Sequence, residues 1–321
     1  MTLKNVLPLI LIQIFLIAGF TMLFSGLTHA FSTDKHILFI SGAPSHGFGN
    51  HEHYGGNRLL AATLEEALDG VRTTVVQGWP EDVTIFDDVS AVVIYANGGG
   101  GHLILPHLEA FREVMDRGIG FVTLHYAVEV PTGEAGNRFL DWQGGFFETH
   151  WSVNPFWTAG FEKLPNHPIL NGVEPFAIRD EWYYHMRFQE NMAGVTPILS
   201  DLPPAESLSR DDGPHSNNPH VREAVLENRE SQHVAWAYER PNGGRSFGFT
   251  GGHYHWNWGH NQFRRVVANA IAWTAGIKIP ENGLQFSTID ALELAEMTDD
   301  PIPAQWDPEP IQQMLDEANN H

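Results

Sequence analysis

The sequence predicts an α/β protein with a doubly wound, mostly parallel sheet. Short apolar runs at 36–41, 91–96 and 120–125 alternate with stretches of helical periodicity, the rhythm of strands joined by crossover helices. Their centres, at 37–40, 91–96 and 121–122, are apolar on consecutive rather than alternate residues, as strands covered on both faces are. Two later runs, 232–238 and 245–250, flank Arg240-Pro241-Asn242-Gly243-Gly244, a turn-forming stretch that predicts an antiparallel pair.

Taken in order, Lys4 precedes an apolar run at 6–24, and Thr28-His29-Ala30 resembles a small-residue cleavage site. Residues 1–30 therefore read as an export signal, with an inner-membrane anchor through 6–24 as the alternative. The α/β domain is expected over 34–277 and an acidic tail over 278–321. The first strand, 36–41, runs into a loop from Gly42 to Gly56 that holds His46, His51, Glu52 and His53. Residues 57–68 carry helical spacing, and 72–77 form the next strand. The run at 91–96 ends in four consecutive glycines, 98–101, before a helix at 104–117. The fourth strand ends on His125. Residues 126–190 break the alternation, and they hold Trp142, Trp151, Trp157 and Trp182. A strand at 195–200, a surface excursion over 201–230, the antiparallel pair and a helix at 262–274 complete the domain. The stretches 289–296 and 310–318 are acidic and amphipathic, and are expected to pack on the surface.

Composition narrows the chemistry. Net charge is −21, against a nucleic-acid partner and suited to neutral or cationic small ligands. There is no cysteine, which removes thiolate nucleophiles, thiolate metal sites and a lipid-acylated anchor together. The glycine-rich loops lack G-x-G-x-x-G, so no nucleotide cofactor is expected. Histidines equal lysines plus arginines, 18 of each, so imidazole is the main nitrogen chemistry available.

The densest signal is Gly251-Gly252-His253-Tyr254-His255-Trp256-Asn257-Trp258-Gly259-His260. An extended backbone here would set His253 and His255 on one face and Trp256 and Trp258 on the other. With the loop holding His46, His51 and His53, and with His125 at a strand end, several imidazoles are expected to meet at the rim of the sheet. Rims at strand carboxyl ends are where open α/β sheets bind ligands.

Together, Ser45-His46-Gly47, His51-Glu52-His53, Leu124-His125-Tyr126-Ala127, Glu148-Thr149-His150-Trp151 and Gly251-Gly252-His253-Tyr254-His255-Trp256 resemble the ThuA-like family, named for trehalose utilisation. The resemblance spans about 36–276. It implies a flavodoxin-like, three-layer fold similar to class I glutamine amidotransferases, and a link to disaccharide breakdown through keto-sugars. In those amidotransferases a cysteine sits at the elbow where His125 stands here, so glutamine hydrolysis through a thioester is excluded.

The expectation is an exported, carbohydrate-active enzyme that hydrolyses or isomerises a sugar or keto-sugar derivative. A non-catalytic sugar-binding module is the alternative. A divalent metal such as Zn would be held by three from His51, His53, His150, His253 and His255, with His125 also able to serve. Without a metal, a His/Glu pair would move a proton beside a keto group. His125, Glu148 and Glu181 are the catalytic candidates. His46, Trp151, Trp182 and Trp256 are the candidates for holding the sugar. The expected partner is a small carbohydrate, with no membrane contact once the signal is cleaved.

Overall fold

The computed structural model describes residues 34–320, so the expected signal or anchor lies outside the described residues. The chain opens with β1 (Lys35–Ser41), α1 (His53–Ala67), β2 (Val71–Gln77), β3 (Val89–Tyr95), α2 (Leu108–Asp116), β4 (Gly120–Leu124) and α3 (Glu134–Gln143). An irregular region follows with β5 (Gly145–Phe146), β6 (Phe156–Phe161), β7 (Phe176–Glu181) and β8 (Arg187–Phe188). Then come β9 (Val195–Asp201), α4 (Pro219–Arg222), β10 (Gln232–Glu239), β11 (Arg245–Phe249), α5 (Asn261–Thr274), α6 (Ala291–Glu296) and α7 (Glu309–Asn319).

The main sheet has seven strands in the order β2-β1-β3-β4-β11-β10-β9. The first five are parallel, and β10 runs against both neighbours. The 2-1-3-4 order extended by one later parallel strand is the flavodoxin-like winding, so the α/β expectation holds. Alternate residues of each strand serve opposite layers. Ile37 and Phe39 pack with Leu60 of α1 and Phe263 of α5. Leu38 and Ile40 pack with Phe111 of α2 and Phe139 of α3. Burial on both faces is why the centres of these strands are apolar on consecutive residues.

Two departures from the sequence reading bear on function. Helix α1 starts at His53, not 57, because its first turn is capped from far along the chain. Asp299 accepts hydrogen bonds from the backbone N–H of Tyr54 at 2.9 Å and of Gly55 at 2.7 Å. A carboxylate on free N–H groups at a helix start is favourable, and no local residue announces it. The C-terminal segment also goes beyond surface packing, since Leu284, Leu294 and Leu315 are buried in the main core.

The irregular region supplies two two-stranded sheets, β5 with β8 and β6 with β7, the latter with Phe156 opposite Glu181. The β6–β7 pair ends over the carboxyl edge of the main sheet, where β1, β4 and β11 terminate.

A candidate metal centre at the carboxyl edge of the sheet

Three loops and one strand end converge here. The loop after β1 brings His51. Its backbone N–H donates to the His253 carbonyl at 3.0 Å, and the His255 N–H donates to the Gly49 carbonyl at 2.9 Å, so the β1 and β11 loops are zipped together. His125 follows β4 directly with φ of 54°, and His51 has φ of 48°. Both are left-handed conformations uncommon for residues with a Cβ, and such strain gathers at functional sites. Beyond β11, Gly252 has φ of 109°, which glycine adopts freely. Its N–H and that of His253 donate to the buried Asp180 carboxylate at 2.8 and 3.0 Å. Tyr95 donates its hydroxyl proton to the Gly252 carbonyl. Next to Asp180, the end of β7 delivers Glu181.

The result is a compact donor set. His51 Nε2 lies 3.0 Å from His253 Nδ1 and 3.1 Å from His125 Nε2. Glu181 Oε2 lies 3.1 Å from His253 Nδ1 and 3.4 Å from His125 Nε2. All four donor atoms fall within 4.8 Å of one another.

The surrounding hydrogen bonds fix two tautomers. His125 Nδ1 is 2.8 Å from the Thr250 carbonyl, which only accepts, so Nδ1 carries the proton and Nε2 a lone pair. The Ser45 hydroxyl donates to Asn97 Oδ1 at 2.7 Å and is left to accept from His51 Nδ1 at 3.1 Å. The His51 Nε2 lone pair therefore faces the His125 Nε2 lone pair with no proton between them. Burial, and then the neighbouring His125 and His253, hold the His51 imidazole far below its ordinary pKa, so a proton does not settle there. A cation satisfies both nitrogens. Zinc ligands at about 2.0–2.2 Å in a tetrahedron stand roughly 3.4 Å apart, close to the spacings found. Three imidazoles and one carboxylate suit Zn and neighbouring divalent ions. The residues present thus fit a metal. The backbone carbonyl on His125 and the Ser45–Asn97 pair behind His51 are the outer contacts that orient such ligands.

Glu181 is suited to the same task. Burial opposes its ionisation, and positive charge at the His125 and His253 positions outweighs burial and lowers its pKa to about 2, so the carboxylate suits a site that holds a cation. Tyr183, two residues on, places its hydroxyl 3.2 Å from His125 Nε2 and 3.3 Å from Glu181 Oε2. Burial raises the phenol well above its ordinary pKa, and it stays protonated.

A polar cavity of about 220 Å³ opens above these groups. His51, Glu181 and Tyr183 line it, with Tyr126, Asn154 and Arg210, and His46 and His215 complete the wall. This is room for one small polar molecule, below the roughly 300–1,000 Å³ of drug-sized sites. A larger groove of about 430 Å³, lined by Phe176, Ile178, Met314 and Leu315, contains none of the donor residues.

The structure separates the sequence candidates. His51, His125, His253 and Glu181 come together, and His46 stands at the rim with its ring 4.0 Å from that of His51. His53 lies apart, buried at the start of α1 with Nδ1 on the Ala43 carbonyl. His255 turns away because His255–Gly259 is a tight helical turn, not an extended strand, and its Nε2 meets the Leu294 carbonyl. His150 is exposed. Glu148 is paired with Arg187. Trp151 stacks on His185 and lies under Arg187, Trp182 is fully buried in the core, and Trp256 stacks on Trp306. None of these lines the cavity. Sequence reasoning missed Tyr126, Asn154, Tyr183, Arg210 and His215. Only Tyr183 left a signal, since a strand continued past Glu181 points residues 181 and 183 the same way.

A family model described as ThuA, trehalose utilisation, matches residues 44–274. No curated protein matches the chain. Among solved structures, a protein described as ThuA-like from Bacteroides uniformis aligns with a TM-score of 0.52 at 16% identity, covering 75% of this chain and 91% of that one. A second, from Parabacteroides merdae, gives 0.49 at 14% identity over 79% and 96%. At such identity the first likeness shows the fold alone. With the family model covering most of the domain, this chain belongs to the ThuA family, whose description is trehalose utilisation.

Proposed function

We propose that this chain is a metal-dependent, carbohydrate-active enzyme that isomerises a keto-sugar derivative. His51, His125, His253 and Glu181 hold the ion. The facing lone pairs of His51 and His125, 3.1 Å apart, carry this proposal. A divalent ion there supplies Lewis acidity, polarising a carbonyl or acidifying a water.

The chain's own groups supply the proton handling. His46 shares its Nδ1 proton with Ser45 Oγ at 3.0 Å, which leaves the Nε2 lone pair free at the cavity rim. Burial, then His253, lower its pKa, so it is a neutral base at pH 7. Beside a carbonyl, His46 takes the proton from the neighbouring carbon and the electron pair moves onto oxygen. The Tyr183 hydroxyl stands at the floor to hydrogen-bond that oxygen. A hydroxyl proton then passes between the two oxygens and His46 returns its proton to the former carbonyl carbon, so the carbonyl moves by one carbon. Asn154 and Tyr126 offer hydrogen bonds to sugar hydroxyls. Hydrolysis of a glycosidic bond uses the same groups with water as nucleophile, and proton exchange at carbon separates the two. We also propose that the chain is exported, a reading supported by Lys4, the apolar run at 6–24 and Thr28-His29-Ala30.

The test follows deuterium entering a keto-sugar from heavy water by NMR, with the protein as purified, after chelation, and after return of Zn or Mn. Exchange that chelation abolishes and metal restores is expected. Sugar binding without exchange or hydrolysis, in metal-loaded protein, would make the chain a binding module instead.

A further inference from the structure

Arg210 is the group that the proposed chemistry leaves without a task. It lines the cavity from the long excursion between β9 and β10. Two hydrogen bonds from Nη2 fix the guanidinium, to Asn154 Oδ1 at 2.9 Å and to the His215 carbonyl at 3.2 Å. The supporting loop is itself built: Asn154 N–H donates to that same His215 carbonyl at 2.9 Å, and Asn217 donates to the carbonyls of Leu208 and Arg210.

No carboxylate among the described residues lies within 4.0 Å of this guanidinium. Arg72, Arg112, Arg138, Arg187, Arg222 and Arg245 each pair with one, and of the remaining arginines Arg210 is the one that lines this cavity. The other acids near the cavity are engaged. Glu129 is paired with His215 at 2.9 Å, and Glu181 belongs to the donor set. Nη1 and Nε of Arg210 have no protein partner among the described residues, so these N–H groups and the positive charge are left for a ligand, each able to donate to a carboxylate oxygen.

We propose that the cavity takes a sugar bearing a carboxylate, of the uronate or sugar-acid class, with Arg210 holding the acid group and the donor set facing the rest of the ring. The global charge of −21 favours neutral or cationic ligands, but selection at a site follows the groups that meet the ligand, and Arg210 sets in this wall a positive charge that no carboxylate pairs with. The assignment rests on the proposed function for the site's location and not for its chemistry.

The test compares binding of D-glucuronate, its neutral methyl ester and D-glucose by calorimetry, in wild type, Arg210→Gln and Arg210→Lys. Arg210 is exposed, so the variants keep the fold, and circular dichroism verifies this. Glucuronate should bind at least about tenfold more tightly than its ester or glucose, a difference of about 1.4 kcal/mol. Arg210→Gln should bring the three within about twofold, and Arg210→Lys should fall between. A preference that survives in Arg210→Gln, or equal binding of the three by wild type, overturns the inference. Repeating the series on metal-stripped protein separates the two proposals. A preference that persists there keeps the role of Arg210 even if no ion belongs at the donor set.

Discussion

Asp180→Asn probes how the centre is held in place. The Asp180 carboxylate is fully buried and accepts four hydrogen bonds: from the N–H of Glu181 at 2.7 Å, Gly252 at 2.8 Å and His253 at 3.0 Å, and from the Asn257 amide at 2.9 Å. The oxygen facing Gly252 and Asn257 becomes an NH₂ in one orientation of the new amide, and the other orientation sets the NH₂ against Glu181 and His253. Either way two charge-assisted bonds, each worth about 1.5–3 kcal/mol, are lost and donors face donors. The lower cost of burying a neutral amide offsets part of this, leaving about 3–4 kcal/mol of destabilisation. At about 2 °C per kcal/mol for a domain of this size, the melting midpoint should fall by roughly 6–8 °C. Because Asp180 fixes the backbone on which His253 stands, metal affinity should fall about 10–100-fold as well. Thermal denaturation by circular dichroism and competition against a chromogenic chelator read the two effects. A variant with wild-type melting and wild-type affinity would refute the role given to Asp180.

Other perturbations address separate parts of the account. Gly98→Ala would place a Cβ 2.0 Å from the Tyr126 carbonyl oxygen, backbone against backbone, so urea denaturation should show a loss of about 3 kcal/mol. His102, His255 and His260 are each lowered by burial from 6.5 to about 4. Below pH 6.5 the unfolded chain therefore takes up protons that the folded one refuses. Stability present above 6.5 should be lost towards pH 4, at about 1.4 kcal/mol per pH unit for each imidazole and about 4 for the three. Urea midpoints that stay flat from pH 7 to 5 would contradict it. Tyr183→Phe should keep the metal and lower turnover about 100-fold, so equal turnover removes the hydroxyl from the chemistry.

The main sheet was legible because its inner strands are apolar on both faces, a pattern set by local composition. The positions of His51, His125 and His253 were legible for a related reason, since strand carboxyl ends can be found without knowing what faces them. Other features depend on contacts distant in sequence. The N-terminus of α1 is capped by Asp299, more than two hundred residues away. Alternation predicted a shared face for His253 and His255, but the turn at His255–Gly259 rotates His255 onto α6. Glu148 and Glu181 look alike in sequence, and only the pairing of Arg187 with Glu148 separates them. Arg210 and His215 lie in an excursion without periodicity, so their arrival at the cavity follows from tertiary packing alone.

Metal content per chain, measured by elemental mass spectrometry on protein equilibrated with Zn and Mn and then dialysed, tests the centre most directly. Wild type should retain about one divalent ion per chain, and a folded His51→Ala/His253→Ala double variant should retain none, since it keeps too few donors. Wild-type protein that emerges without an ion, or a double variant that binds one as tightly, would contradict a metal centre built from these residues.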